Sequence, residues 1–131
     1  MSILRENLTM DLFYASGKAG GANVVRITVV VKDSLNGNDL HTSTLIRTGD
    51  EKSATYAVGG QTISDASDPI LLKLETYFRS VDKAMFEKYM IRANEVFESH
   101  LNPGNTWLGQ YGLRIASNVP ASDELPESAF S

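Results

Sequence analysis

The sequence predicts an α+β fold, an N-terminal antiparallel β-meander followed by two α-helices. Three observations lead there. Apolar residues alternate with period two through the first part of the chain, and the pair Asn36-Gly37 stands between two β-rich runs. At Ser67-Asp68-Pro69 the apolar period changes to that of a helix.

Leu8, Met10, Leu12 and Tyr14 alternate with Asn7, Thr9, Asp11 and Phe13, the pattern of a half-buried strand. Ser16 to Gly21, rich in glycine, reads as a flexible connection to a second strand, Val24 to Lys32. Asn-Gly then signals a type I′ hairpin turn, whose two central residues both need positive φ. With that turn, Leu35 lies opposite Asn38, Lys32 opposite His41, Thr28 opposite Leu45 and Arg26 opposite Arg47. Val25, Ile27, Val29 and Val31 point to the other side as an apolar stripe fit for a core. Gly49-Asp50-Glu51-Lys52 reads as a second tight turn into Ala54 to Val58, which places Arg47 facing Ala54 and Leu45 facing Tyr56. A short further strand is expected at Gln61 to Ile63.

Ser67-Asp68 offers a helix cap, and proline follows at the first helical position. Ile70, Leu71, Leu74, Tyr77, Phe78, Val81 and Met85 recur at helical spacing, as do Phe86, Met90, Ala93, Phe97 and Leu101. The two stripes point in different directions, so two helices are expected, or one bent sharply near Ser80 to Asp82, with Asp82 capping the second. Two helices with stripes in different directions are not expected to bury everything on a single four- or five-stranded sheet, so a second subunit is a natural place for the remainder. Asn102-Pro103-Gly104 should stop the second helix, and Trp107 to Ile115 should return as an edge strand.

At 131 residues the chain is expected to form a single domain over 1–119. Residues 120–131 hold Asp123, Glu124 and Glu127, two of the four prolines and no basic residue, and read as an acidic, flexible tail. Net charge is −4, which argues against indiscriminate nucleic-acid binding; without the three tail acids the body is near neutral and has room for a local basic face. There is no cysteine, which excludes disulfides, thiolate metal sites and cysteine nucleophiles. No apolar run approaches the roughly 18 to 20 residues of a membrane span, and the N-terminus does not read as a secretory signal, so a cytoplasmic site of synthesis and no membrane partner are expected.

No catalytic constellation stands out, and no enzyme activity, cofactor or metal is expected. Gly17-Lys18 lacks the rest of a phosphate-loop pattern, with Leu12 where the earlier glycine belongs and Ala19 after the lysine. His41 and His100 are the only histidines, so they form no metal cluster, and His100 suits a helix C-terminus. Asp33 and Asp39 flank a turn and suit backbone capping. The predicted register does collect Arg26, Thr28, Lys32, His41, Ser43, Arg47 and Tyr56 on one face. Like charges placed opposite each other, as Arg26 and Arg47 are here, destabilise a strand pair unless they fan into water or share an anion. Tyr56 would supply a stacking surface for a base.

The order of elements, the chain length and the pairing of an apolar with a basic sheet face resemble the coat proteins of small single-stranded RNA bacteriophages, the levivirus type. That resemblance implies an interlocked homodimer with a joint sheet, assembly into an icosahedral shell, and genomic RNA bound on the inner sheet face; the seven residues named above, which register geometry and no family motif places, are the expected phosphate and base contacts. It also implies a virion protein made in the cytoplasm of a bacterial host. Two other classes are compatible with the sequence. One is a small phage or bacterial inhibitor acting on a protein partner through a sheet edge or the tail. The other is a single-strand DNA-binding protein, whose acidic tails the ending Ser-Ala-Phe-Ser resembles, although there phenylalanine is the last residue and here Ser131 follows Phe130.

Overall fold

Two glycines settle the first hairpin. In the computed structural model, which describes residues 3–50, 52–99 and 112–130, strands Leu8–Ala19 (β1) and Ala22–Asp33 (β2) are joined by Gly20 and Gly21 alone. Both are at positive φ, 57° and 84°, as the centre of a type I′ turn demands. The ladder therefore runs through Ser16–Ala19, where the glycine content suggested a flexible connection. Asp39–Thr48 (β3) and Thr55–Ile63 (β4) continue the meander, and Gln61 to Ile63 is the far end of β4, reached across a bulge, not a separate strand.

Helix Pro69–Arg79 (α1) starts where its cap predicts. Asp68 Oδ1 accepts from the N–H groups of Ile70 at 2.9 Å and Leu71 at 3.2 Å, with proline in the first turn. Replacing a cap of this kind by alanine typically costs about 1 kcal/mol. Asp68→Ala is expected to lower the unfolding free energy by about that amount, read from the urea midpoint at unchanged slope. Asp82 caps the second helix, Lys83–Ser99 (α2), by accepting from the Met85 N–H at 2.9 Å.

Leu71, Leu74 and Phe78 of α1 and Phe86, Tyr89 and Ala93 of α2 are buried in one core with Met10, Leu12, Ile27, Val29 and Leu45 of the sheet. Both helices thus bury these residues on the chain's own sheet; Phe97 and Leu101, the end of the second stripe, lie outside the described side chains. The chain then returns as Gly112–Pro120 (β5), antiparallel beside β1, and completes a five-stranded antiparallel sheet in the order β4-β3-β2-β1-β5. Of the strand expected over Trp107 to Ile115, residues 107–111 lie outside the described residues, as do His100, Leu101 and Asn102-Pro103-Gly104.

The stretch expected as a flexible tail is packed. Ala121–Glu124 forms a short helix and Glu127–Phe130 a 3-10 turn, and Ala121, Leu125, Ala129 and Phe130 belong to the core. Glu124, 6% exposed, is ion-paired with Arg92 of α2, while Lys88 Nζ donates to its carbonyl. Arg5 donates to both carboxylate oxygens of Glu127, at 2.9 and 2.5 Å, and its guanidinium lies 4.2 Å over the Phe130 ring. Composition registers the acids and misses the apolar residues that recur every fourth position between them. No helix among the described residues is long and apolar enough to cross a membrane.

Candidate nucleic-acid interface

Which side chains share a face is decided at the tip of the β2–β3 hairpin. Gly37 has φ 75°, but Asn36 is not at positive φ, so the expected type I′ turn does not form. Instead the Asp33 N–H donates to the Asn38 carbonyl at 3.0 Å and closes a loop of Ser34, Leu35, Asn36 and Gly37. Asp33 Oδ1 accepts from the Leu35 N–H at 2.9 Å, and Asn36 Oδ1 accepts from the Asn38 N–H at 2.8 Å. A bulge follows, with Lys32 opposite Asp39 and Val31 opposite His41. Beyond it Val29 faces Ser43, Ile27 faces Leu45, Arg26 faces Ile46 and Val25 faces Arg47, one residue away from the expected register. A slip of one residue turns every side chain of a strand to the other face.

The seven expected site residues are therefore divided. Arg26, Thr28 and Lys32 lie on the open face, whereas His41, Ser43, Arg47 and Tyr56 lie on the face that carries the helices. Tyr56 still shares a side with Arg47, directly opposite it, but its ring packs 5.6 Å from that of Phe86 in α2. Arg47 lies half-buried with its guanidinium 5.5 Å from the same ring.

His41 and Ser43 are sealed under α1, 1% and 0% exposed. His41 Nε2 is hydrogen-bonded to Ser43 Oγ, which donates to Gln61 Oε1 at 2.8 Å, and Gln61 Nε2 donates to the Glu75 carbonyl at 3.0 Å. Since the Ser43 proton goes to Gln61, Nε2 carries the imidazole proton and Nδ1 keeps a lone pair with no partner. Phe78 meets the ring edge-on at 5.4 Å. Burial pushes the His41 pKa down, and Gln61 and Glu75 pull it only part of the way back. A serine beside a histidine has the elements of a nucleophile and base, but no substrate reaches a pair this enclosed.

The open face is a different surface. Thr28 and Thr44 stand opposite each other at its centre, Thr42 and Thr62 in the next row, and Arg26 beside Ile46. Phe13 pairs with Thr28 on one side and Arg114 of β5 on the other, and the Arg114 guanidinium lies 5.6 Å over its ring. Lys32 is compensated, because Asp11 Oδ2 is 2.9 Å from its Nζ. Burial pushes the Asp11 carboxyl up, yet the Asn118 N–H at 2.8 Å, then Lys32 and Arg114, outweigh it and hold Asp11 below the usual carboxylate range. Lys32 is raised in turn by its bond to Asp11. Arg26 and Arg114, both exposed and without an ion pair among the described residues, add positive charge to this face, with Arg114 near enough to Asp11 to act on its carboxyl.

No protein-family model, curated protein or solved structure matches this chain.

Sequence reasoning missed Phe13 and Arg114 as members of this surface. The signal was present in both cases. Phe13 is an aromatic residue on the polar side of an alternating strand, and Arg114 stands between Leu113 and Ile115, which belong to the core. Among the described residues no group of His, Asp and Glu is arranged to hold a metal ion.

Proposed function

We propose that the chain is a structural coat protein that binds single-stranded RNA on its open sheet face, dimerises, and assembles into an icosahedral shell of the RNA-phage type. The observation that carries this reading is the two-sided sheet. One face is closed by both helices, and the other is a hydroxyl-rich surface with Arg26, Arg114 and Phe13. Arginines neutralise phosphates, threonine hydroxyls exchange hydrogen bonds with phosphate and ribose, and an aromatic ring takes an unstacked base. An unpaired strand suits this flat face better than a duplex, since unstacked bases can reach Phe13. The joint-sheet dimer of such a coat would form at β4, an edge strand with no charged residue or proline to discourage pairing. Because both helices lie on their own sheet, contact along that edge accounts for the dimer better than an exchange of helices.

Gel filtration with the 260 to 280 nm absorbance ratio, followed by negative-stain imaging of the leading peak, tests the assembly. Uniform shells holding nuclease-protected RNA are expected. A monomer or dimer free of nucleic acid would overturn the coat reading. For the face itself, Arg26→Ala with Arg114→Ala is expected to weaken RNA binding and to reduce the salt slope by about 1.4, at roughly 0.7 per single-strand phosphate contact. Unchanged RNA affinity in that variant, with circular dichroism intact, would exclude this face.

The bare β4 edge also supports a second reading, a small inhibitor that adds a strand to a partner's sheet. A monomer or simple dimer free of nucleic acid in gel filtration would favour it. The DNA-binding-tail reading has less support, because Phe130 is buried against Arg5 rather than presented at a free end.

A further inference from the structure

Arg47 does not belong to the open face, and its surroundings on the helix side are incomplete. Its Nε is fully shielded and has no hydrogen-bond partner. The nearby carboxylate does not partner it. Glu87 lines the cleft on one side of Arg47, but its ion pair is with Lys83 at 3.7 Å.

On the other side of Arg47 lies a cleft of about 390 Å³, lined among others by Ser16, Lys18 and Asn23. The strand registers explain the grouping. Ser16, Val25 and Arg47 form one row across three strands, and Lys18 opposite Asn23 forms the next row toward the Gly20-Gly21 turn. Even-numbered residues of β1 and odd-numbered residues of β2 and β3 share this side of the sheet. A guanidinium, an ammonium, a hydroxyl and an amide from three strands thus border one space. Neither Lys18 nor Arg47 has an ion pair among the described residues.

We propose that Arg47, Lys18, Ser16 and Asn23 form a binding site for a phosphate-class oxyanion, on the side of the sheet opposite the RNA face. Two cations carried by separate strands suit an anion with several oxygens better than a single carboxylate, and the guanidinium is already oriented by Phe86. The site does not depend on the coat reading, because none of its residues lies on the open face.

The test uses the whole protein, with calorimetric titration and thermal melts in inorganic phosphate, in a short oligouridylate, and in acetate or chloride at matched ionic strength. Saturable binding of phosphate is expected, with the dissociation constant raised about tenfold by Lys18→Gln, a change of about 1.4 kcal/mol. Lys18 is exposed near the hairpin tip, so this variant folds; Arg47→Gln, checked by circular dichroism, is expected to abolish binding. In the Arg26→Ala, Arg114→Ala background, which removes binding on the open face, loss of oligouridylate binding alone on adding Lys18→Gln would assign the phosphate to a nucleic-acid backbone, and loss of inorganic phosphate binding would assign it to a free phosphoryl group. Arg26→Ala with Arg114→Ala should leave phosphate binding intact. Equal shifts in acetate or chloride, or binding of both phosphate probes unchanged by Lys18→Gln, would overturn the site.

Discussion

A chain ending at Pro120 is expected to lose about 5 kcal/mol or more of stability, enough to unfold many domains of this size. Leu125 and Phe130 are each worth about 1.5–3 kcal/mol of apolar burial, and Ala121 and Ala129 fill the space between them. Removing Glu124 also strips Arg92 of its ion-pair partner, while Arg5 loses Glu127 and the Phe130 ring together. Typical domains are stable by only 5–15 kcal/mol, so the truncated chain should be insoluble or should melt far below the full chain. Urea denaturation of both proteins measures the difference. The point variant Phe130→Ala, which keeps every charge, separates loss of packing from loss of ion pairs. An unchanged midpoint in the truncated chain would mean that 121–130 contributes nothing to the core.

The second large effect is a loss of stability on mild acidification, centred on His41. The unfolded chain takes up a proton on this residue near pH 6.5, whereas in the folded protein burial defers uptake to lower pH. Between those two values the unfolded state holds more protons, so stability rises with pH. The contribution is complete above about pH 6.5 and is lost as pH falls toward the depressed folded value, with a limiting slope of about 1.4 kcal/mol per pH unit. Protonation would place a charge between Phe78, Ser43 and the underside of α1, with Glu75 the charged neighbour that partly compensates it. His41→Gln is expected to abolish the slope in this window, measured as urea midpoints from pH 7 to pH 5. His100 is present in both proteins, so the difference belongs to His41. Carboxylates held below their usual range, Asp11 and Glu127 among them, act at still lower pH. A wild-type midpoint flat from pH 7 to pH 5 would show that folding leaves the His41 pKa unchanged, and a midpoint that rises on acidification would show that the folded protein holds His41 charged.

Much of the fold could be read from the sequence, because its signals are local. Asp68-Pro69 announces α1, Asp82 announces α2, and the alternation of Leu8, Met10 and Leu12 announces β1. The interface was less legible because it depends on one register. Strand β3 alternates weakly: one parity offers His41, Ser43 and Leu45, the other Thr42, Thr44 and Ile46, and each has two small or polar residues with one large aliphatic. The hydrophobic pattern therefore leaves the choice to the turn, and the side chains of Asp33 and Asn36 build a longer loop than Asn-Gly alone implies. Arg26 and Arg47 are drawn to opposite faces by that difference. The packing of 121–130 was hidden for another reason, since its anchors Arg92, Lys88 and Arg5 are distant in sequence.

The position of β5 also dictates an order of assembly. The three hairpins from β1 to β4 join neighbouring segments and close small loops, whereas β5 must come from near the C-terminus to pair with β1, Pro120 beside Thr9. At about 5–20 residues per second of synthesis, the outer edge of β1 waits on the order of ten seconds for its partner to leave the ribosome. Throughout that interval the nascent sheet has two bare edges, and partner chains or chaperones compete with β5 for one of them.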